Sequence, residues 1–198
     1  MITLRGAEAA DVPALLEIYA WYVEHTAVTF DVEVPDAAQF LAKLTDIRRR
    51  YPYLVLLEDG RIRGYAYAAP LKDRAAYDWS CELSIYLSPG CRGRGLGRRL
   101  YAALQEELSR MGMRNLYACI ASPREADETL DDASEAFHAA MGFRRCAMFS
   151  CCGYKFDRWY DMIWMEKIIG DHPRQMPAIL PWPGMNGGER ERSHSSKV

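Results

Sequence analysis

Between Ile85 and Leu100 the chain reads Ile-Tyr-Leu-Ser-Pro-Gly-Cys-Arg-Gly-Arg-Gly-Leu-Gly-Arg-Arg-Leu, and no other stretch constrains the fold so tightly. An alternating strand breaks at Pro89, glycines at 93, 95 and 97 carry a turn, and an amphipathic helix runs from about Leu96 to Met111 before stopping at Gly112. The next strand, residues 115–120, makes this unit a right-handed parallel crossover. A helix N-terminus presents unpaired backbone N–H groups and a partial positive charge, so glycines that let a phosphate approach create an anion site. Gly93, Gly95 and Gly97 supply that access, and Arg92, Arg94 and Arg98 add charge suited to a ligand carrying several phosphates. A tight strand-to-helix connection with no ligand explains the same glycines. A P-loop would need Gly-Lys-Ser/Thr, and a dinucleotide fingerprint a different glycine spacing; the chain has neither.

The rest of the chain sets this unit inside one domain. With 198 residues and 49% apolar content there is enough material for one core of several strands and helices. The 25 basic and 27 acidic residues nearly cancel, which argues against nucleic acid or an anionic membrane as partner. No run approaches the roughly 20 apolar residues of a membrane span. The six cysteines form no CxxC pair and have no His-rich partner segment, and four lie in strand-like or apolar runs suited to buried thiols. Met1-Ile2-Thr3-Leu4-Arg5 leads directly into polar residues rather than a secretory signal. Reduced thiols, no metal and a cytoplasmic location are the expectations.

In chain order, residues 2–5 alternate as a strand, and Asp11 and Pro13 suit the cap and first turn of a helix over Val12–His25 with Leu15, Ile18, Tyr19, Tyr22 and Val23 inward. An extended segment holds Phe30. A second helix begins near Asp36, with Phe40, Leu41, Leu44 and Ile47 inward, and ends in Arg48-Arg49-Arg50. Residues 53–57 and 62–68 form a hairpin around Asp59-Gly60, and residues 79–87 make the strand that enters the glycine turn. After residues 115–120 a polar link precedes a short helix from Ala133, capped by Asp131 or Asp132, and two strands, 143–151 and 158–167, complete an antiparallel half. Residues 1–169 are the folded domain; the Pro/Gly-rich 170–198 is expected to be an extended or disordered tail.

Arg92-x-x-Gly95-x-Gly97, between a strand and a helix, resembles the acyl-CoA signature of the GCN5-related N-acetyltransferase (GNAT) superfamily. Arg50-Tyr51-Pro52-Tyr53-Leu54-Val55, Gly64-Tyr65-Ala66-Tyr67-Ala68, Lys72-x-Arg74, Ala76-Tyr77-Asp78-Trp79 and Glu82-x-Ser84-Ile85-Tyr86-Leu87 stand in the order and spacing of its phosphinothricin acetyltransferase-like group. The similarity covers about residues 2 to 168. It implies the GNAT fold, a mixed α+β architecture whose central, mostly antiparallel twisted sheet has a splayed central strand and flanking helices. It also implies acetyl-CoA as cosubstrate, no metal, a homodimer, and an acceptor such as phosphinothricin, methionine sulfoximine or sulfone, or a related amino acid, with detoxification as the role.

Carried onto this chain, the resemblance makes Glu82 the general base that takes a proton from the acceptor ammonium; its other reading is a structural carboxylate paired with an arginine. The backbone of Ile85, Tyr86 and Leu87 would hold the cofactor's pantetheine arm and polarise the thioester. Arg92, Gly93, Arg94, Gly95, Leu96, Gly97 and Arg98 would bind its pyrophosphate. Lys72, Arg74 and Tyr77 would border the acceptor pocket, with Phe30 as an apolar wall and Tyr101 facing the same region; loop solvation and core packing are the alternatives for these. His138 reads as a structural imidazole. Asp131 stands where the family carries an asparagine on the cofactor arm, and an ionised aspartate cannot donate that hydrogen bond. The link from Pro123 to Ser134 is also longer than the family's. Polyamine or protein N-terminal acetylation, and a non-catalytic acyl-CoA sensor, are the rival functions.

Overall fold

The computed structural model describes residues 1–184. Seven strands form one sheet in the order β1-β2-β3-β4-β5-β7-β6. They are β1 (Ile2–Gly6), β2 (Tyr53–Glu58), β3 (Arg61–Pro70), β4 (Ser80–Leu87), β5 (Asn115–Ser122), β6 (Arg144–Lys155) and β7 (Arg158–Ile168). The helices are α1 (Val12–His25), α2 (Ala37–Arg48), α3 (Leu96–Met111) and α4 (Ala133–Ala140). Every neighbouring pair is antiparallel except β4 and β5, which the crossover through α3 makes parallel.

Strand alternation assigns the two faces. On β4, Leu83, Ile85 and Leu87 turn toward α3, whose Gly97 lies against the Leu87 and Ile85 side chains. Glu82, Ser84 and Tyr86 turn the other way, toward α1 and α2: the Tyr86 ring meets Tyr19 and Tyr22 of α1, and Phe40 of α2 meets Tyr65, the register partner of Tyr86. Glu82 thus shares its face with tyrosines, on the opposite side of the sheet from α3.

Several local readings need correcting. Asp11 does not cap α1 with its side chain; it forms a fork with Arg5 at 2.6 and 2.7 Å and accepts the Glu8 N–H, so its charge ties β1 to the helix start and its pKa falls below the usual carboxylate range despite burial. Leu41 is 37% exposed, because only Phe40, Leu44 and Ile47 keep the spacing of the buried stripe. At α4, Asp131 rather than Asp132 supplies the capping oxygen, accepting the Ala133 N–H at 3.1 Å. Only Cys81 and Cys91 are buried; Cys146, Cys151 and Cys152 are exposed on β6, the outer strand of the sheet.

Residues 170–184 form no helix or strand but lie along the domain. The Leu180 N–H donates to the Met111 carbonyl at 2.9 Å, Trp182 Nε1 donates to Glu107 at 3.2 Å, and Trp79 Nε1 donates to the Pro177 carbonyl at 2.9 Å. The remainder of the expected tail, residues 185–198, lies outside the described residues.

Candidate active site

The sheet opens at Glu82. Parallel pairing between β4 and β5 holds only for Ser80 with Asn115, Cys81 with Leu116 and Glu82 with Tyr117. Beyond that point β4 stays on β3 as far as Leu87, while β5 stays on β7 as far as Ser122. The two strands therefore part into a wedge with Glu82 at its vertex, and the β5-facing backbone groups of residues 83–87 leave the ladder. At Leu87 those groups are taken by a side chain: the Tyr22 hydroxyl donates to the Leu87 carbonyl at 2.9 Å and lies 3.3 Å from its N–H, which donates back. Ile85, two residues earlier, turns its N–H and C=O toward the same edge. Sequence reading assigned Tyr22 to the core stripe of α1, since nothing in helical spacing marks a hydroxyl that reaches a strand edge.

Glu82 is half-buried and makes no hydrogen bond or ion pair among the described residues. Burial raises its pKa, and the nearby charges of Lys72 and Lys43 oppose that rise. No arginine reaches it. Cys119, on the same side of β5, is pushed up to about 12 by burial and by the Glu82 charge, which keeps it a neutral thiol.

At the far end of the wedge the glycines do two jobs. Gly93 and Gly95 have φ of 74° and 76°, in the left-handed region, and a Cβ on either would meet nothing within 4 Å. They are required by backbone shape, and the space in front of them is open to a ligand. Gly97 has ordinary helical geometry; its Cβ would stand 3.3 Å from Leu87 Cδ1 and 3.5 Å from the Phe137 ring, so it lets α3 approach the end of β4. Leu96 beside it is buried. A fully substituted turn would lose both features. Gly95→Ala is expected to cost about 1–2 kcal/mol for the left-handed residue and to raise the KM for acetyl-CoA while leaving the acceptor KM unchanged, as steady-state kinetics would show.

The arginines divide. Arg92 lies 3.5 Å from Asp131 and 5.8 Å from the centre of the Tyr22 ring, so the structure brings together Arg92, Asp131 and the residue that holds Leu87. Arg94 forms a fork with Glu58 and faces away from the wedge toward the end of β2. Arg98 is exposed on the first turn of α3, with no side-chain partner among the described residues.

The residues named for the acceptor also separate. Lys72 lies close enough for its charge to act on Glu82. Arg74 precedes a short 3-10 turn, Ala75–Tyr77, and both Arg74 and Tyr77 stay exposed; the following Asp78 pairs with Arg50 at 2.7 Å, anchoring the loop just beyond the end of α2. Phe30 packs over Gly153 of β6, whose Cβ would come within 2.1 Å of its ring, and lies 5.9 Å from the Tyr160 ring. It belongs to a small apolar cluster with Ala27, Ala121, Leu130 and Tyr160. Tyr101 is fully enclosed beneath the sheet, within 3.0 Å of His138 Nε2. His138 Nδ1 faces the Ser134 carbonyl at 2.7 Å and must donate to it; burial lowers the imidazole's pKa, so the neutral ring accepts the Tyr101 hydroxyl proton at Nε2.

Sequence reading missed a second group that frames this face. Lys155, near the tip of the β6–β7 hairpin, is buried and donates to the Thr26 and Thr29 carbonyls at 2.9 Å each. It fixes the extended segment after α1, where the Tyr19 hydroxyl bonds Thr29 and Asp31. A lysine in a hairpin reads as solvated until the tertiary contact is seen.

Residues 4–164 match the family model described as an acetyltransferase (GNAT) domain. The chain is 33% identical over 161 residues to the phosphinothricin N-acetyltransferase of Streptomyces viridochromogenes, covering 81% of this chain and 84% of that one. It is 33% identical to the L-methionine sulfoximine/L-methionine sulfone acetyltransferase of Salmonella typhimurium, covering 86% and 96% of the two chains. Its structure superposes with a TM-score of 0.82 on a GNAT superfamily phosphinothricin acetyltransferase from Sinorhizobium meliloti in complex with acetyl-CoA, at 33% identity over 92% of this chain and 96% of that one. The splayed strands, the open space before Gly93 and Gly95 and the extent of these matches agree: the chain belongs to the GNAT acetyltransferase family and is an acetyl-CoA-dependent acyltransferase.

Proposed function

We propose that this acyltransferase acetylates the primary amine of a small amino-acid-like acceptor, such as phosphinothricin, methionine sulfoximine or sulfone, or a related amino acid, with Glu82 as the general base. The carrying observation is the place of Glu82: a carboxylate with no partner among the described residues, at the vertex of the wedge, with its pKa raised by burial. A base that works near neutral pH needs a pKa above that of a free carboxylate, and burial supplies it. Bound acetyl-CoA supplies the activated acetyl group. The chain does the rest: Gly93, Gly95 and the start of α3 face the pyrophosphate, the free edge of β4 at Ile85 holds the pantetheine arm, and Glu82 takes the ammonium proton so that the free amine attacks the thioester carbonyl directly in a ternary complex, the C–N bond forming as the C–S bond breaks and CoA leaves as its thiolate. The Lys72 ammonium close to Glu82 suits an acceptor bearing a carboxylate, with Arg74 and Tyr77 on the same loop.

A thiol-release assay with acetyl-CoA across amino acids, their phosphinate, sulfone and sulfoximine analogues, and polyamines tests this reading. Turnover confined to amino acids and their analogues is expected. Turnover confined to polyamines, or acetyl-CoA binding without turnover on any amine, overturns it.

We further propose a cytoplasmic homodimer that serves detoxification. The free thiols fit a reducing compartment, and among the described residues no helix is long and apolar enough to cross a membrane. Along β6 and β7, Met148, Phe149, Tyr154, Phe156 and Trp159 are between 42% and 56% exposed, an apolar patch beside an unpaired sheet edge. Light scattering on a sizing column is expected to give twice the chain mass for the wild type and the single-chain mass for Phe149→Arg; a monomeric wild type would refute the dimer.

A further inference from the structure

Beyond Glu82 the strands β4 and β5 are no longer paired, so something other than the ladder must set how far apart they stand. The register shows what does. On β4, Glu82 shares a face with Tyr86; on β5, Tyr117, the partner of Glu82, shares that face with Cys119 and Ala121. Tyr86 and Ala121 each stand four residues past the vertex, roughly 13 Å along the two arms of the wedge. The extended segment after α1 reaches both. On the β4 arm the Tyr19 ring meets Tyr86 edge-on at 5.2 Å, while the Tyr19 hydroxyl lies 3.0 Å from Thr29 Oγ1 and donates to Asp31 at 2.5 Å. On the β5 arm Ala27 and Phe30 pack with Ala121 and Tyr160. Residues 26–31 are therefore the third side of an opening whose other sides are β4 and β5 and whose vertex is Glu82.

Three contacts hold that side from beyond β5. The Ala27 N–H donates to the Thr129 carbonyl at 3.1 Å, and the Phe30 ring lies over Gly153. The third is Lys155. It pairs with Arg158 at the end of the β6–β7 hairpin and shares a face with Gly153, so its side chain enters on the Glu82 side. Phe156 and Asp157 close the hairpin as a two-residue turn with φ of 50° and 58°, and the Tyr154 hydroxyl donates to Asp157 at 3.2 Å. The lysine thus stands at the base of a turn as tight as two residues allow.

Lys155 is buried, yet it has no ion pair among the described residues; its Nζ donates only to the Thr26 and Thr29 carbonyls, at 2.9 Å each. Enclosing an ammonium with no carboxylate against it is expensive, and an apolar side chain would fill the same space at lower cost. Burial pulls the lysine's pKa down, with the Asp31 charge opposing. Packing alone does not account for such a residue. What the ammonium can do, and an apolar side chain cannot, is hold the carbonyls of 26 and 29 at once and so fix the bend of the chain leading to Phe30.

We infer that Lys155 is a positioning residue for acetyl transfer: by holding residues 26–31 across the open side of the wedge, it sets the aperture through which the acceptor amine reaches Glu82. The inference rests on the reading of Glu82 as the base that receives an amine. Lys155 touches no reacting atom and acts through the segment that it holds.

Lys155→Met in the full chain keeps the apolar stem and removes the donors; Lys155→Gln, which can still donate to one carbonyl, is the milder variant should methionine fail to fold. Amide hydrogen exchange is expected to quicken over residues 26–31 and to stay unchanged in β5 and α3. With an amine that the thiol-release assay shows to be turned over, kcat/KM for the acceptor is expected to fall about 10- to 100-fold, measured well below the melting temperature, while CoA affinity by calorimetry is unchanged. Tyr19→Phe loosens the same segment from the β4 arm, so its loss combined with that of the lysine variant is expected to be less than multiplicative. A lower melting temperature with unaltered exchange over 26–31, an unaltered kcat/KM, strictly multiplicative losses, or an equal loss of CoA affinity overturns the inference. Failure of the proposed function shows differently: a wild type that turns over no amine sinks Glu82 as base, and the exchange pattern then judges the clamp by itself.

Discussion

Glu82→Gln is expected to lower turnover by roughly 10²–10⁴-fold, the range for removal of a general base, with the affinity for acetyl-CoA unchanged by calorimetry. The substituted amide would occupy the same space at the wedge vertex but could not take the ammonium proton. The pH dependence carries the sign. The base works ionised, and burial holds its pKa above the ordinary carboxylate value, so kcat/KM of the wild type is expected to fall toward acid from a higher pH than a free carboxylate would give. Lys72→Met removes a cation that holds that pKa down, and the acidic limb should move to still higher pH. Stability moves the other way from activity. A glutamate whose folded pKa is raised binds its proton more tightly in the folded state, so its contribution to stability is present at low pH and is lost as pH rises through the folded pKa. The glutamine variant never ionises. Its melting temperature at neutral pH and above should be no lower than that of the wild type. A variant that retains turnover, or one that unfolds along with losing it, would remove Glu82 from the role of base.

The second large effect is expected at Gly64, a residue that never touches the acetyl group. A Cβ there would stand 2.5 Å from Leu87 Cδ2, 2.7 Å from the Tyr86 carbonyl oxygen and 3.3 Å from Leu87 Cα. The leucine methyl can rotate away; the backbone cannot. Gly64→Ala must push β3 and β4 apart at the Gly64–Leu87 pair, the place where the Tyr22 hydroxyl bridges the Leu87 N–H and C=O. Overpacking of this kind costs roughly 2–3 kcal/mol, and at about 2–4 °C per kcal/mol for a chain of this size the melting temperature should fall by about 5–10 °C. The displaced strand end is also expected to weaken acetyl-CoA binding, because it moves the edge of β4 that borders the wedge. A differential scan and a CoA titration on the same sample read both quantities. Normal melting with normal CoA binding would mean that the strand end yields without consequence.

Much of this was legible from the chain itself, and the reason is local. The α3 boundaries, Leu96–Met111, follow from an apolar stripe that ends at Gly112, and the Asp59-Gly60 hairpin follows from turn chemistry within four residues. What failed locally failed where a distant group competed. Asp11 carries the right side chain for a cap, yet Arg5 claims it. The cysteines of β6 sit in an apolar run, yet that strand is the sheet edge and leaves them exposed. Lys155, which no local pattern singles out, is a buried clamp on the Thr26 and Thr29 carbonyls.

The site divides along the same line. By itself the sequence determined the glycine turn with its helix start and the presence of a carboxylate in an apolar strand, because these depend on neighbours along the chain; resemblance to a family then attached acetyl-CoA to the one and proton transfer to the other. Only the tertiary structure decided that β4 and β5 part at Glu82, that Tyr22 closes the far end of the wedge at Leu87, and that Tyr19 and Phe30 bring the segment after α1 across its open side. Those arrangements rest on strand register and on which face each residue turns toward, and both are fixed by contacts between segments far apart in the chain.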